Sequence, residues 1–427
     1  MPVKSSLVDS YKARTPITDG RVGHLTTDQE QKLKQLWSKL LVHFETTSTK
    51  PIAVPNDPFG VGQQACLDDE PATLSQWYAA NKSRVEDAKF RTVSDELYLS
   101  GKREAVVPKD FKPLFGDKPS ERLFRNAFWQ AAMAYQHPDT MLLGFLRTRG
   151  WDVQRSFDSV VSAIEWRAAH AMDKLMWEGE STQAFRAIEQ ALEYEAGVDR
   201  LGCPVLIVRV RKSVPKEFSK ESWEKKIAYT LEHTALVARA SNSKSVLLQD
   251  MSGFGMSNLD YSASKLTMDM ISALYPDIYE SMILFASPWI FSGVWKIMSK
   301  WLDPALADLI QFTKNIDELH TFIDDDQISV DMGGSMKVNL DYIFPSRQEN
   351  AKMFDAQGRA VAEEVFVDAV AAFEASTRVW ASDMDAPERD RLAAKLHSAV
   401  AELDPYIRSR FQVERQGKVL ADSKIVG

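Results

Sequence analysis

The side chains best suited to proton transfer or metal ligation are scattered. Seven histidines, His24, His43, His137, His170, His233, His320 and His397, stand singly, and no two fall at ligand spacing. Cys66 and Cys203 form no C-x-x-C, and Cys203 follows Gly202 at the start of an apolar run, which reads as structural. The segment Gly253–Asn258 (GFGMSN) differs from the G-x-S-x-G of a nucleophile elbow. No P-loop occurs, and no G-x-G-x-x-G follows a strand-like run. The carboxylates of Ile323–Asp331 (IDDDQISVD) lack the periodicity of a calcium loop and read as a solvated segment. A haem ligated through Tyr, His or Cys stays open and would show as a Soret band. With no catalytic set, the sequence argues against an enzyme and requires neither cofactor nor metal.

What the chain offers instead is grease in one place. Ser287–Phe312 holds three tryptophans, Trp289, Trp295 and Trp301, two phenylalanines and few charges. Phe291, Trp295, Met298 and Leu302 recur at helical spacing, and Ile290, Val294, Ile297 and Trp301 widen the stripe. Ser292, Lys296, Ser299 and Lys300 face the other way. Asp303 can cap a second helix with Pro304 in its first turn, so the spacing predicts two helices meeting at an elbow. Such a unit either fills the core or forms a lid over an apolar space, and periodicity alone does not separate the two. Tryptophan beside lysine also suits a membrane interface.

The elements that must position this stretch change period along the chain. Residues 1 to 25 show no pattern and read as unstructured. A helix follows at about 26–45, with Thr26 or Thr27 as cap and Leu33, Leu36, Trp37, Leu40, Leu41 and Phe44 on one face. Residues from Glu45 to about Pro119 read as a linker with short helices. Three helical pieces then run to Ala171, broken at His137–Asp139 and Gly150–Asp152, and Phe157, Val160, Val161, Ile164 and Trp166 face inward on the third. Cys203–Lys212, Ser245–Met251 and Ser281–Ser287 read as strands, with helices at about 223–240 and 262–275 between them. That alternation predicts an α/β fold with a mainly parallel sheet. By alternation, Leu206, Val208 and Val210 share a face, as do Ser245, Leu247 and Gln249, and as do Met282 and Leu284. From about Gln348 the pattern is helical to near the end, and the basic and apolar tail suits docking to a partner or to the domain itself.

At 427 residues, with 44% hydrophobic and 26% charged residues, the chain has material for a sizeable core. A net charge of −8 argues against a dedicated nucleic-acid binder. There is no apolar N-terminal signal and no run long enough to cross a bilayer, so a reduced cytoplasmic setting is expected.

The segments LLGFLRTRGWDV, IEWR, DRLGCPVLIV, LLQDMSGFGMSNLDY, YPDIYESMILFASPWIF and WLDPALADLIQF, ending at MGGS, resemble the CRAL-TRIO domain of the yeast phosphatidylinositol-transfer type. The resemblance covers roughly Met141–Ser335 and is similar to a fungal branch, some of whose members are associated with squalene-type ligands. It implies a mixed β-sheet floor with surrounding helices that enclose one lipid in an apolar cavity. The implied organisation is an N-terminal extension with one helix and a linker (1–120), a helical lobe (121–180), the lipid-binding domain (181–340) and a C-terminal helical extension (341–427). Leu206, Val208, Val210, Leu247, Gln249, Tyr279, Met282 and Leu284 would line the cavity. Phe291, Trp295, Met298, Leu302, Leu309 and Phe312 would belong to the gate helix.

The resemblance also places a headgroup site at Arg149, Ser245 and Asp277. Two of the four family charges are missing there, because Gly150 and Leu309 stand where the family has lysines. Leu247 breaks the family's Ser-x-Thr pair as well. An anionic inositol phosphate loses two ammonium partners, so a sterol, squalene or another neutral lipid is expected. Arg149 and Asp277 are expected to pair. The implied function is extraction and transfer of a lipid, with transient contact at a membrane surface. The alternative is a lipid-sensing or lipid-presenting regulator of phosphoinositide signalling, acting on a lipid kinase or other partner through the C-terminal helices.

Overall fold

The computed structural model describes residues 5–61, 73–87, 91–102, 105–239 and 244–417; Cys66 lies outside them. The first helix, α1 (Ser5–Ala13), occupies a stretch that the sequence pattern leaves unstructured. Its apolar signal is short, Leu7, Val8 and Tyr11, which pack on the back of the central sheet. There the Tyr11 hydroxyl donates to Asp199 at 2.7 Å and lies 3.0 Å from the Ser281 hydroxyl. Tertiary contact, not propensity, fixes this helix.

α2 (Thr27–Thr46) starts at a Thr26–Gln29 capping box and buries the six residues expected of it. The linker after α2 holds short helices, as its pattern suggests. Capping boxes at Thr73 and Thr92 begin helices Leu74–Glu86 and Val93–Leu99. The helical lobe comprises α3 (Phe124–Ala132), α4 (Pro138–Thr148) and α5 (Val153–Ala169), broken where the turn residues predict.

Five strands follow: β1 (Glu193–Val198), β2 (Pro204–Arg209), β3 (Ser245–Asp250), β4 (Tyr279–Phe285) and β5 (Ile310–Thr313). They lie in that spatial order, β1 antiparallel to β2 and the rest parallel. The crossovers are α6 (Lys220–Ala238), α7 (Tyr261–Leu274) and the pair α8 (Phe291–Met298) and α9 (Pro304–Ala307). The expected α/β class is therefore the observed one. β4 is buried along its whole length, as a central parallel strand with both faces covered must be.

α10 (Ala356–Ala381) and α11 (Arg389–Ile407) form a hairpin whose apolar residues join the core that holds α2 and the sheet's front face. At the junction Arg389 reaches both Asp139 oxygens, at 2.7 and 2.6 Å, and the Trp37 indole N–H donates to the same carboxylate at 2.7 Å. As far as Gly417, the basic tail turns inward onto the domain. Arg408 and Arg410 bind Asp404 and Glu414, Arg415 binds Glu180, and Phe411 lies 4.0 Å from the His233 ring, centre to centre. Among the described residues, no helix is long and apolar enough to cross a membrane.

Candidate functional site

Parallel pairing aligns side chains in rows across the sheet. The register sets Leu206 beside Leu247 and Met282, and Val208 beside Gln249 and Leu284, all on the front face. A cavity of about 170 Å³ lies over these rows. Its wall also includes Val210, Tyr279 and, from the roof, Phe291, Trp295, Met298 and Leu302. Burial raises the Tyr279 phenol well above its ordinary range, so it stays neutral.

The sequence reading omits the side walls. α6 contributes Trp223, Ile227, Thr230 and Leu231, and α7 contributes Ala263, Thr267, Met268 and Ile271. The available signal is the i, i+4, i+8 spacing of Trp223, Ile227 and Leu231.

The roof is α8, shorter than the periodicity suggests, since the chain leaves the helix at Ser299. Phe291 and Val294 face inward. Trp295 meets Phe312 edge to face at 5.1 Å, and Phe291 meets Phe254 at 5.6 Å. No side chain caps the N-terminus of α8, so mainly apolar contacts hold it down. On the outer surface Trp289 is 87% exposed and Ile297 is 44% exposed, with Lys296 and Lys300 beside them.

Leu309 and Phe312 are not on the gate helix. Leu309 lies in the turn after α9, where its carbonyl accepts from Met282 N at 2.9 Å, and Phe312 is on edge strand β5. Their apolar types extend the stripe of α8 in sequence, but the chain has already left the helix. Neither residue lines the cavity.

The expected headgroup residues do not converge on the cavity. The Ser245 hydroxyl donates to the Pro204 carbonyl at 2.8 Å. Arg149 binds Ser159 at 2.9 Å and the Ser272 carbonyl at 3.1 Å, with Asp303 at 3.8 Å, which ties the elbow between α8 and α9 to the helical lobe. Asp277 pairs with Arg147 and Lys244, not with Arg149. Arg147 and Arg149 are two positions apart, and only Arg147 lies on the side of α4 that faces the turn. Gly144 permits that approach, because a Cβ there would come within 2.9 Å of the Pro276 carbonyl. Asp277 itself adopts a left-handed φ of 68°. Burial alone would raise its carboxyl, but Lys244 and Arg147 prevail and hold it at about 2. Among the described residues, no group of three or more His, Cys, Asp or Glu side chains is placed to hold a metal.

Residues 189–334 match the sequence profile of the CRAL/TRIO domain. The chain is 27% identical to the phosphatidylinositol transfer protein CSR1 of Eremothecium gossypii, over 92% of this chain and 96% of that protein. It is 28% identical to the CRAL-TRIO domain-containing protein C3H8.02 of Schizosaccharomyces pombe, over 94% of this chain and 92% of that one. Against the crystal structure of Sfh5 the TM-score is 0.36 at 14% identity, covering 43% of this chain and 66% of that chain, too slight to bear on the fold.

Proposed function

Residues 189–334 form a CRAL-TRIO domain, and from that premise we propose that the protein takes one hydrophobic lipid out of a membrane, shields it under α8 and releases it at another membrane. The observation that carries this reading is the apolar cavity itself, roofed by a short helix held mainly by aromatic contacts. Taking a lipid chain through water costs about 0.8 kcal/mol per CH₂, on the order of 10 kcal/mol for a chain of ordinary length, and apolar walls remove that cost. A void of about 170 Å³ is near the size that admits benzene. A lipid therefore needs α8 to swing outward and the cavity to widen.

The ligand is a neutral lipid of low polarity. Gly150 and Leu309 supply no charge, and the arginine and carboxylate expected at a headgroup are engaged elsewhere. Lipid extraction of the purified protein followed by mass spectrometry tests this, and neutral lipid is the expected dominant species. Dominant phosphatidylinositol would refute the ligand assignment, and failure to load any lipid would refute the carrier.

The exposed surface of α8 and its flanking turns is the membrane-contact surface, as Trp289 with Lys296 and Lys300 suits an interface. The protein thus works as a peripheral, cytoplasmic carrier. Trp289→Glu is expected to weaken vesicle binding about tenfold, measured by sedimentation with liposomes, at an unchanged melting temperature. Undiminished binding would move the contact surface elsewhere.

A further inference from the structure

A second chamber of about 100 Å³, more polar than the first, adjoins the apolar cavity and shares Glu193, Leu206, Lys226 and Thr230 with it. Glu193 accepts from the Lys226 ammonium and from the Thr230 hydroxyl, the latter at 2.8 Å, so these three form a hydrophilic partition. Beyond it, three buried polar atoms of wall residues have no hydrogen-bond partner: Gln183 Nε2, Tyr229 Oη and His233 Nε2. Gln183 is 4% exposed and Tyr229 7%. Buried polar groups are ordinarily paired, and each one left alone is costly. Three at one chamber indicate that a partner belongs there.

Their chemistry defines that partner. His233 Nδ1 lies 3.1 Å from Glu195 Oε1, which favours the proton on Nδ1 and leaves Nε2 as an acceptor. Burial pushes this imidazole down to about 3, so it is neutral at physiological pH. Gln183 Nε2 can only donate, and the Tyr229 hydroxyl can do both. A phosphate brings acceptors alone and a negative charge, against a wall with Glu180, Glu193 and Glu195 but only Lys226 as a cation. An ammonium brings donors alone and leaves Gln183 unsatisfied. A hydroxyl donates once and accepts as well, and it carries no charge to desolvate.

We infer that the ligand is a hydroxyl-bearing neutral lipid, whose hydrocarbon part fills the apolar cavity while its hydroxyl reaches past the Lys226–Glu193–Thr230 partition to Gln183, Tyr229 and His233. The inference rests on the carrier reading and narrows it. It favours a lipid alcohol over a pure hydrocarbon such as squalene.

The full-length protein is titrated with two matched pairs, cholesterol against 5α-cholestane and 1-hexadecanol against hexadecane. In whichever pair binds, the alcohol is expected to bind at least about tenfold more tightly, because the hydrocarbon leaves buried polar groups unmatched. Tyr229→Phe, which keeps the ring, is expected to reduce that preference severalfold without weakening the hydrocarbon. Equal affinity of alcohol and hydrocarbon for the unaltered protein would overturn this inference alone, as would equal loss of both in Tyr229→Phe. Binding of neither pair would overturn the carrier reading and this inference with it.

Discussion

Trp295→Asp is expected to reduce lipid transfer between vesicles about a hundredfold or more. Trp295 stands in the roof of the cavity and packs against Phe312. A carboxylate at that position either faces an apolar wall, costing several kcal/mol without a partner, or turns outward and opens the seal. A loss of about 3 kcal/mol in the loaded state already corresponds to a hundredfold. Trp295→Phe keeps an apolar roof and is expected to retain most activity. The measurement is protein-dependent transfer of a fluorescent lipid, with thermal melting as a check on folding. Transfer within threefold of the unaltered protein, at intact stability, would mean that α8 is not the lid.

Arg389→Met is expected to destabilise the fold by about 3–5 kcal/mol, because it strands a buried carboxylate. The side chains of Arg389 and Asp139 are each only 6% exposed, and the Trp37 indole completes the node. Denaturant titration reads the loss, and a change below about 1 kcal/mol would show that the node is dispensable. Adding Asp139→Asn should restore part of the stability, since the stranded charge is then gone. The same node sets an acid limit. Burial opposes ionisation of Asp139, but Arg389 and His137 outweigh it and lower the carboxyl to about 2. Its folded pKa lies below the ordinary value near 4, so its stabilisation is complete above about pH 4. That contribution is lost as the pH falls from about 4 to 2, and Arg389→Met should flatten this part of the acid-denaturation curve.

Much of this architecture can be read from period alone. α2 buries the residues its stripe predicts, and the parallel strands β2, β3 and β4 appear as short runs of Val, Ile and Leu because they are covered on both faces. Alternation along those strands also selects the residues of the cavity floor, since pleating sorts faces whatever lies above them. β1 is hidden because its sequence, EYEAGV, mixes charge with small residues at a sheet edge. β5 is hidden because its apolar residues continue the stripe of α8. The partner of Asp277 is out of reach of any local pattern. Arg147 and Arg149 are equally plausible along the chain, and Lys244 arrives from the start of a different strand. The polar chamber likewise joins Gln183, Tyr229 and His233 from separate segments, so no spacing announces it.

The clasp of α2 by α10 and α11 has a consequence for biosynthesis. Leu36, Trp37 and Leu40 leave the ribosome more than three hundred residues before Phe373 and Arg389, which cover that region. At about 5–20 residues per second, translation leaves this oily helix without its final neighbours for tens of seconds. A nascent chain in that condition is a substrate for chaperones, and premature termination within α10 should yield aggregates rather than a working fragment.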